Sequence, residues 1–156
     1  MEEWFERTII GRYTAEREKQ FFGHYLERFA PCGVQTVVQQ GGEWLMSSEN
    51  VVAVPRDVLM TAEAMAWESH SIDVLLMPHS HETAALTQVL HEASRVLKPE
   101  GRLVLTGFNP KSLWFFSKWF DGVRLPKREH CLTLPALKQR LADLDFEVVF
   151  GKFMVY

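Results

Sequence analysis

Apolar side chains follow two alternating patterns along this chain: stripes at helical spacing, and short runs rich in branched residues. From Thr14 to Phe29, Phe22, Tyr25, Leu26 and Phe29 recur at helical intervals, with Glu16, Arg17, Glu18 and Lys19 suited to an exposed first turn or opposite face. Pro31 and Gly33 end that helix. Val34 to Gln39 is short and β-branched and runs into Gly41-Gly42. A second strand is predicted at Val51–Val54, halted by Pro55, and a third around Val58 to Thr61. Ile72 to Met77 is nearly all apolar, as expected of a strand covered on both faces. The helix after it puts Leu86, Val89, Leu90, Ala93 and Leu97 on one stripe; Lys98-Pro99-Glu100-Gly101 stops it, and Arg102 to Thr106 is the next strand. A last helix is capped at Thr133, has Pro135 in its first turn and carries Leu134, Leu137, Leu141 and Leu144. Phe146 to Phe150 is predicted as a final strand.

Strands alternating with helices at this spacing imply an α/β architecture: a doubly wound, mostly parallel, Rossmann-like sheet. Ligands of such sheets sit outside the carboxyl ends of the strands, where strand order reverses. That rule selects the loops opening at Gln40, Thr61, Pro78 and Gly107.

With 156 residues and 47% hydrophobic content, one domain (1–156, with an N-terminal helical segment 1–32) needs no disulfide or metal to build its core. A net charge of -3 disfavours a generally basic nucleic-acid binder. The stretch from Gly107 to Leu132 is the exception, with five basic against two acidic side chains. Cys32 and Cys131 stand alone without metal-ligand spacing, which fits a reduced, cytoplasmic protein. The opening residues lack the apolar run of a signal peptide, and nothing approaches the ~18 apolar residues of a membrane span.

Two stretches carry a family resemblance. IDVLLMPHSHE (Ile72 to Glu82) resembles the fourth strand and following loop of class I S-adenosylmethionine-dependent methyltransferases, and HEASRVLKPEGRLVLTGFNP (His91 to Pro110) their next helix, turn and fifth strand. GFNPKSLW, with WFERTIIGRY near the start and LADLDFEVV near the end, is similar to a group of bacterial type 11-like methyltransferases. The resemblance implies S-adenosyl-L-methionine as cofactor and an acceptor the sequence does not name. Gln40, Gly41 and Gly42 stand where the family has its glycine-rich loop. Asp57 is the one candidate for the acidic residue that binds the ribose hydroxyls. Thr61, Ala62 and Glu63 match the adenine-side loop, with Thr61 where an Asp is usual. Pro78, His79 and Glu82 would line the cofactor, and Asn109, Pro110 and Trp114 the substrate. The weak glycine and acidic positions keep open an alternative: a non-catalytic methyltransferase-like module for binding or oligomerisation.

Pro78-His79-Ser80-His81-Glu82 admits three readings. His79 and His81 serve as the catalytic imidazoles orienting or deprotonating the acceptor, the loop merely caps the next helix, or His79, His81 and Glu82 bind a metal, with His91 pointing away. Leu113 to Phe120 packs five aromatics into eight residues, as a lid over substrate or as packing against the N-terminal helix. After Phe146 only ten residues remain, short of the two antiparallel strands with which the family ends, so the fold is abbreviated or the chain truncated. The resulting free edge beside Arg102 to Thr106 predicts a homodimer.

Overall fold

The computed structural model describes residues 2–29, 36–42, 51–112 and 127–154. Two helices, α1 (Glu2–Arg7) and α2 (Ile9–Phe29), precede strands β1 (Val37–Gln40) and β2 (Val51–Val54). Strand β3 (Ile72–Pro78), helix α3 (Leu86–Val96) and strand β4 (Leu97–Thr106) follow, then a 3-10 turn at Arg128–His130 and helix α4 (Leu134–Ala142). The four strands form one parallel sheet in the order β2-β1-β3-β4.

The alternation of side chains across the pleat builds two cores. Val38, Leu75 and Met77 face α3, meeting Val89, Ala93 and Val96. Val37, Val51, Val74, Leu76 and Val104 face the other way and pack on Phe22 of α2, with Phe21, Tyr25 and Leu26 around it. Both faces of the central strands are therefore covered, which is why β3 reads as an unbroken apolar run. Strand order reverses between β1 and β3, so their carboxyl ends open a crevice.

Four expectations need correction. No strand forms at Val58 to Thr61: Met60 packs on the core while Leu59 is 87% exposed, and the segment turns with Thr61 and Ala64 joined by a lone bridge. Phe146 to Phe150 forms no strand and pairs with no described strand, leaving Val149 and Phe150 exposed. Lys98-Pro99-Glu100-Gly101 is an outward bulge within β4 rather than a linker after the helix, because Ile72 pairs with Leu97 and Val74 already with Arg102. The Lys98 ammonium holds the bulge to Asp73 at 2.8 Å, and Glu100 takes φ 64°. A Cβ on Gly101 would fall 2.7 Å from the Lys98 carbonyl oxygen, which explains the glycine. The fourth concerns Glu18: Glu16, Arg17 and Lys19 are exposed as expected, whereas Glu18 is only 2% exposed.

Candidate functional site at the strand ends

At the end of β1 the chain turns through Gly41 and Gly42, with φ 79° and 68°. The turn is fixed from three sides. Gly41 N–H donates to the Val54 carbonyl at 3.0 Å, the Gln39 side-chain amide donates to the Gly41 and Gly42 carbonyls at 3.1 and 2.7 Å, and the Ser80 hydroxyl donates to the Gln40 carbonyl. The loops after β1 and β3 thus meet at Ser80. A Cβ at Gly41 would fall 2.6 Å from Ser80 Oγ, so this close approach needs glycine.

The loop after β3 turns inward. His79 adopts φ 55°, its N–H donates to the Thr106 carbonyl at 2.8 Å, and its side chain is buried. Both ring nitrogens are engaged: Nδ1 donates to Glu82 at 2.7 Å and Nε2 to Glu18 of α2 at 2.8 Å. Burial pushes the imidazole down, but the charges of Glu18 and Glu82 and their hydrogen bonds outweigh it and raise the pKa to about 9. Glu82 also accepts the Phe108 N–H, tying the ends of β3 and β4 together. Phe5 of α1 and Phe108 close over the ring at centroid distances of 5.2 and 4.3 Å, with Trp4 against both phenylalanines. His81 is buried beside Gly107, and desolvation lowers it to about 4, so its ring is neutral. Cys131 belongs to the same aromatic cluster, where burial, and then the Glu82 charge, pushes its thiol up to about 12.

The sequence-predicted residues fall into distinct places. Gln40, Gly41, Gly42, Pro78, His79 and Glu82 come together at the switch point, as does His81. Asp57 lies at the end of β2, but its carboxylate is committed: it accepts the Ala53 N–H at 2.8 Å and a two-pronged contact from Arg56, which holds it down at about 2. It is therefore not the free carboxylate that binding of two ribose hydroxyls requires. Thr61 and Glu63 are exposed, on a turn whose Met65 is tied to α3: Met65 N–H donates to Glu92, and Arg95 donates to the Met65 and Trp67 carbonyls. Asn109 is exposed, its side chain accepting the Lys111 N–H, and Pro110 is buried. Trp114, the Leu113 to Phe120 aromatics and Cys32 lie outside the described residues. His91 is exposed on α3, and among the described residues no group of three or more His, Cys, Asp or Glu side chains is placed to hold a metal ion.

The two histidines of the loop therefore differ in setting. His79 is a doubly bonded clamp, and His81 is neutral and buried beside it. Reading the loop alone missed Glu18, whose signal was its position: Thr14, Glu18, Phe22 and Leu26 share one face of α2. Ser80, Gln39 and Thr106 were missed too, because short polar residues at strand ends have no distinctive spacing.

Several buried polar atoms here have no hydrogen-bond partner: Oε1 of Gln39 and of Gln40, Oε2 of Glu18, Nδ1 of His81 and Oγ1 of Thr106. Leaving such atoms unpaired costs about 1–3 kcal/mol each, so their grouping at one end of the sheet marks a place for a polar ligand or water. The Gln40 oxygen fits the ammonium of the amino-acid end of S-adenosylmethionine, whereas Gln39, the preceding residue of β1, points to the other face of the sheet and Asp57 does not fit the ribose end.

The model of the family described as "Methyltransferase domain" matches residues 35–105, from before β1 to the end of β4. No curated protein matches the chain. Among solved structures, the chain is similar to one in the "Complex between the Haloferax volcanii Trm112 methyltransferase activator and the putative methyltransferase". The TM-score is 0.57 at 13% identity, over 85% of this chain and 70% of that one. Domain match, parallel strand order and crevice together give residues 35–105 the fold of a methyltransferase domain, a Rossmann-like parallel sheet with flanking helices.

Proposed function

We propose that the chain binds S-adenosyl-L-methionine in the crevice between the ends of β1 and β3 and transfers its methyl group to an acceptor. When bound, the cofactor supplies the electrophilic methyl group, so apposition of the acceptor can provide most of the rate enhancement. Gln40 holds the ammonium through its unpartnered oxygen, and Gly41-Gly42 lets the backbone approach. Thr61 to Glu63 borders the adenosine, and Asn109 and Pro110 border the acceptor. The His79 clamp keeps the loop in place rather than moving protons. The observation that carries this reading is the orphaned Gln40 oxygen beside an in-turned diglycine at the switch point. Calorimetric titration with S-adenosylhomocysteine tests it: saturable heat is expected, abolished or weakened by Gln40→Leu. No heat and no thermal shift at millimolar ligand would overturn it.

A second reading, a non-catalytic module, draws on the engaged Asp57 and on Thr61, which offers no carboxylate. It predicts intact folding with no cofactor binding. As to partners, the solved neighbour is a complex with an activator, which supports a protein partner here as well. We propose a second copy pairing along the outer edge of β4, the edge strand of the described sheet. No described helix is long and apolar enough to cross a membrane, and we place the protein in the cytoplasm.

A further inference from the structure

A cavity of about 760 Å³ runs beside β4, between α2 and the stretch 144–154. Its walls are mostly apolar, with Phe21 and Tyr25 of α2, Leu103 and Leu105 of β4, and Phe146 and Phe150 opposite. Its volume falls in the range of small-molecule sites, roughly 300–1,000 Å³. The end next to the strand termini differs from the rest. There the cavity is lined by Glu18, His81 and Thr106, which are 2%, 3% and 4% exposed. Each presents a buried atom without a partner: Glu18 Oε2, His81 Nδ1 and Thr106 Oγ1. The three gather around one residue, since Glu18 accepts from the His79 ring, Thr106 accepts the His79 N–H, and His81 is two residues on.

We propose that this cavity binds a small amphipathic alcohol or phenol, apolar body along β4 and hydroxyl among Glu18, His81 and Thr106, and that this is the methyl acceptor. The head group follows from the donor inventory. Glu18 Oε2 only accepts, so the ligand must donate a hydrogen. Its other oxygen is fixed by His79, so the carboxylate does not turn away. Thr106 both donates and accepts, so the ligand's oxygen finds a donor there. A hydroxyl meets both requirements. A carboxylate head would face the Glu18 charge, and an ammonium head would lie near the protonated His79 and lack any acceptor for the Thr106 proton. Glu18 Oε2 is the atom placed to hold the hydroxyl proton. The word acceptor rests on the methyltransferase reading; binding does not.

The test is calorimetry on the whole chain with para-butylphenol and, as the probe lacking the hydroxyl hydrogen, para-butylanisole. The phenol is expected to bind at least about tenfold more tightly, the difference one charge-assisted hydrogen bond makes. Thr106→Val keeps the side-chain shape and the His79 clamp and should weaken the phenol roughly tenfold, and the anisole too, since the oxygen of each accepts from the Thr106 hydroxyl. Glu18→Gln should remove the preference for the phenol. Equal affinities for the two probes, or no binding of either, would overturn the proposal, as would full phenol affinity in Thr106→Val. Titrating S-adenosylhomocysteine in parallel separates the two readings. Phenol binding without it supports the cavity and removes the acceptor role; its binding without the phenol overturns the cavity alone.

Discussion

His79 is the residue on which the strand ends are hung. It is buried between two carboxylates, one three residues away and one 61 residues away. Removing one member of a buried charged set strands the others, so His79→Ala should cost about 3–5 kcal/mol in urea unfolding. The pH dependence follows from the two histidines. His79 is raised from 6.5 to about 9, so its contribution is complete below pH 6.5 and is lost as pH climbs towards 9. His81 is lowered from 6.5 to about 4, so its contribution is present above 6.5 and is lost as pH drops towards 4. Unfolding free energy measured across this range should peak near pH 6.5. His81→Asn should flatten the acid limb alone, and a replacement at His79 the alkaline one. Gly41→Ala is the corresponding backbone test: its positive φ and the nearby Ser80 oxygen predict a loss of about 1–3 kcal/mol, with weaker binding of S-adenosylhomocysteine.

Among the elements, α3, β3 and β4 were legible because their burial is periodic, and periodicity is what a sequence displays. Val89, Leu90 and Ala93 lie on the predicted stripe, and β3 is covered on both faces as its composition implies. Segments that depend on distant partners were not legible. Val58 to Thr61 has strand-like residues but pairs with no strand of the sheet, and its neighbour Met65 is placed by Glu92 and Arg95 of α3. The Lys98 to Gly101 turn has the residues of a helix stop, yet register alone decides that it bulges from a strand. The candidate site follows the same division. Its glycines and loop histidines could be picked from the sequence, while Glu18 could not be assigned before α2 was seen against β3. Arg95 gives a test at this scale: it makes bonds to Glu92 and to the Met65 and Trp67 carbonyls. Arg95→Met should cost about 1–2 kcal/mol and speed amide exchange from Met65 to Trp67 more than elsewhere.

At the scale of the whole molecule, the edge of β4 and the cavity compete for the same space. The stretch 144–154 lines the cavity opposite β4, so a second copy pairing with that strand would have to displace it. Light scattering at micromolar concentration should show twice the 18.1 kDa chain mass, falling towards the single-chain value as para-butylphenol fills the cavity. A mass that ignores the ligand would separate the pairing edge from the cavity.

The reach of the Glu18 contact also bears on how the protein is made. As the polypeptide leaves the ribosome, Glu18 emerges well before the imidazole that neutralises it, and through that interval α2 carries an anion in the middle of its sticky face. The helix is thereby discouraged from settling on a half-built sheet, or on a neighbouring nascent chain. Burying that face is costly until β3 supplies His79 as the partner of the acid.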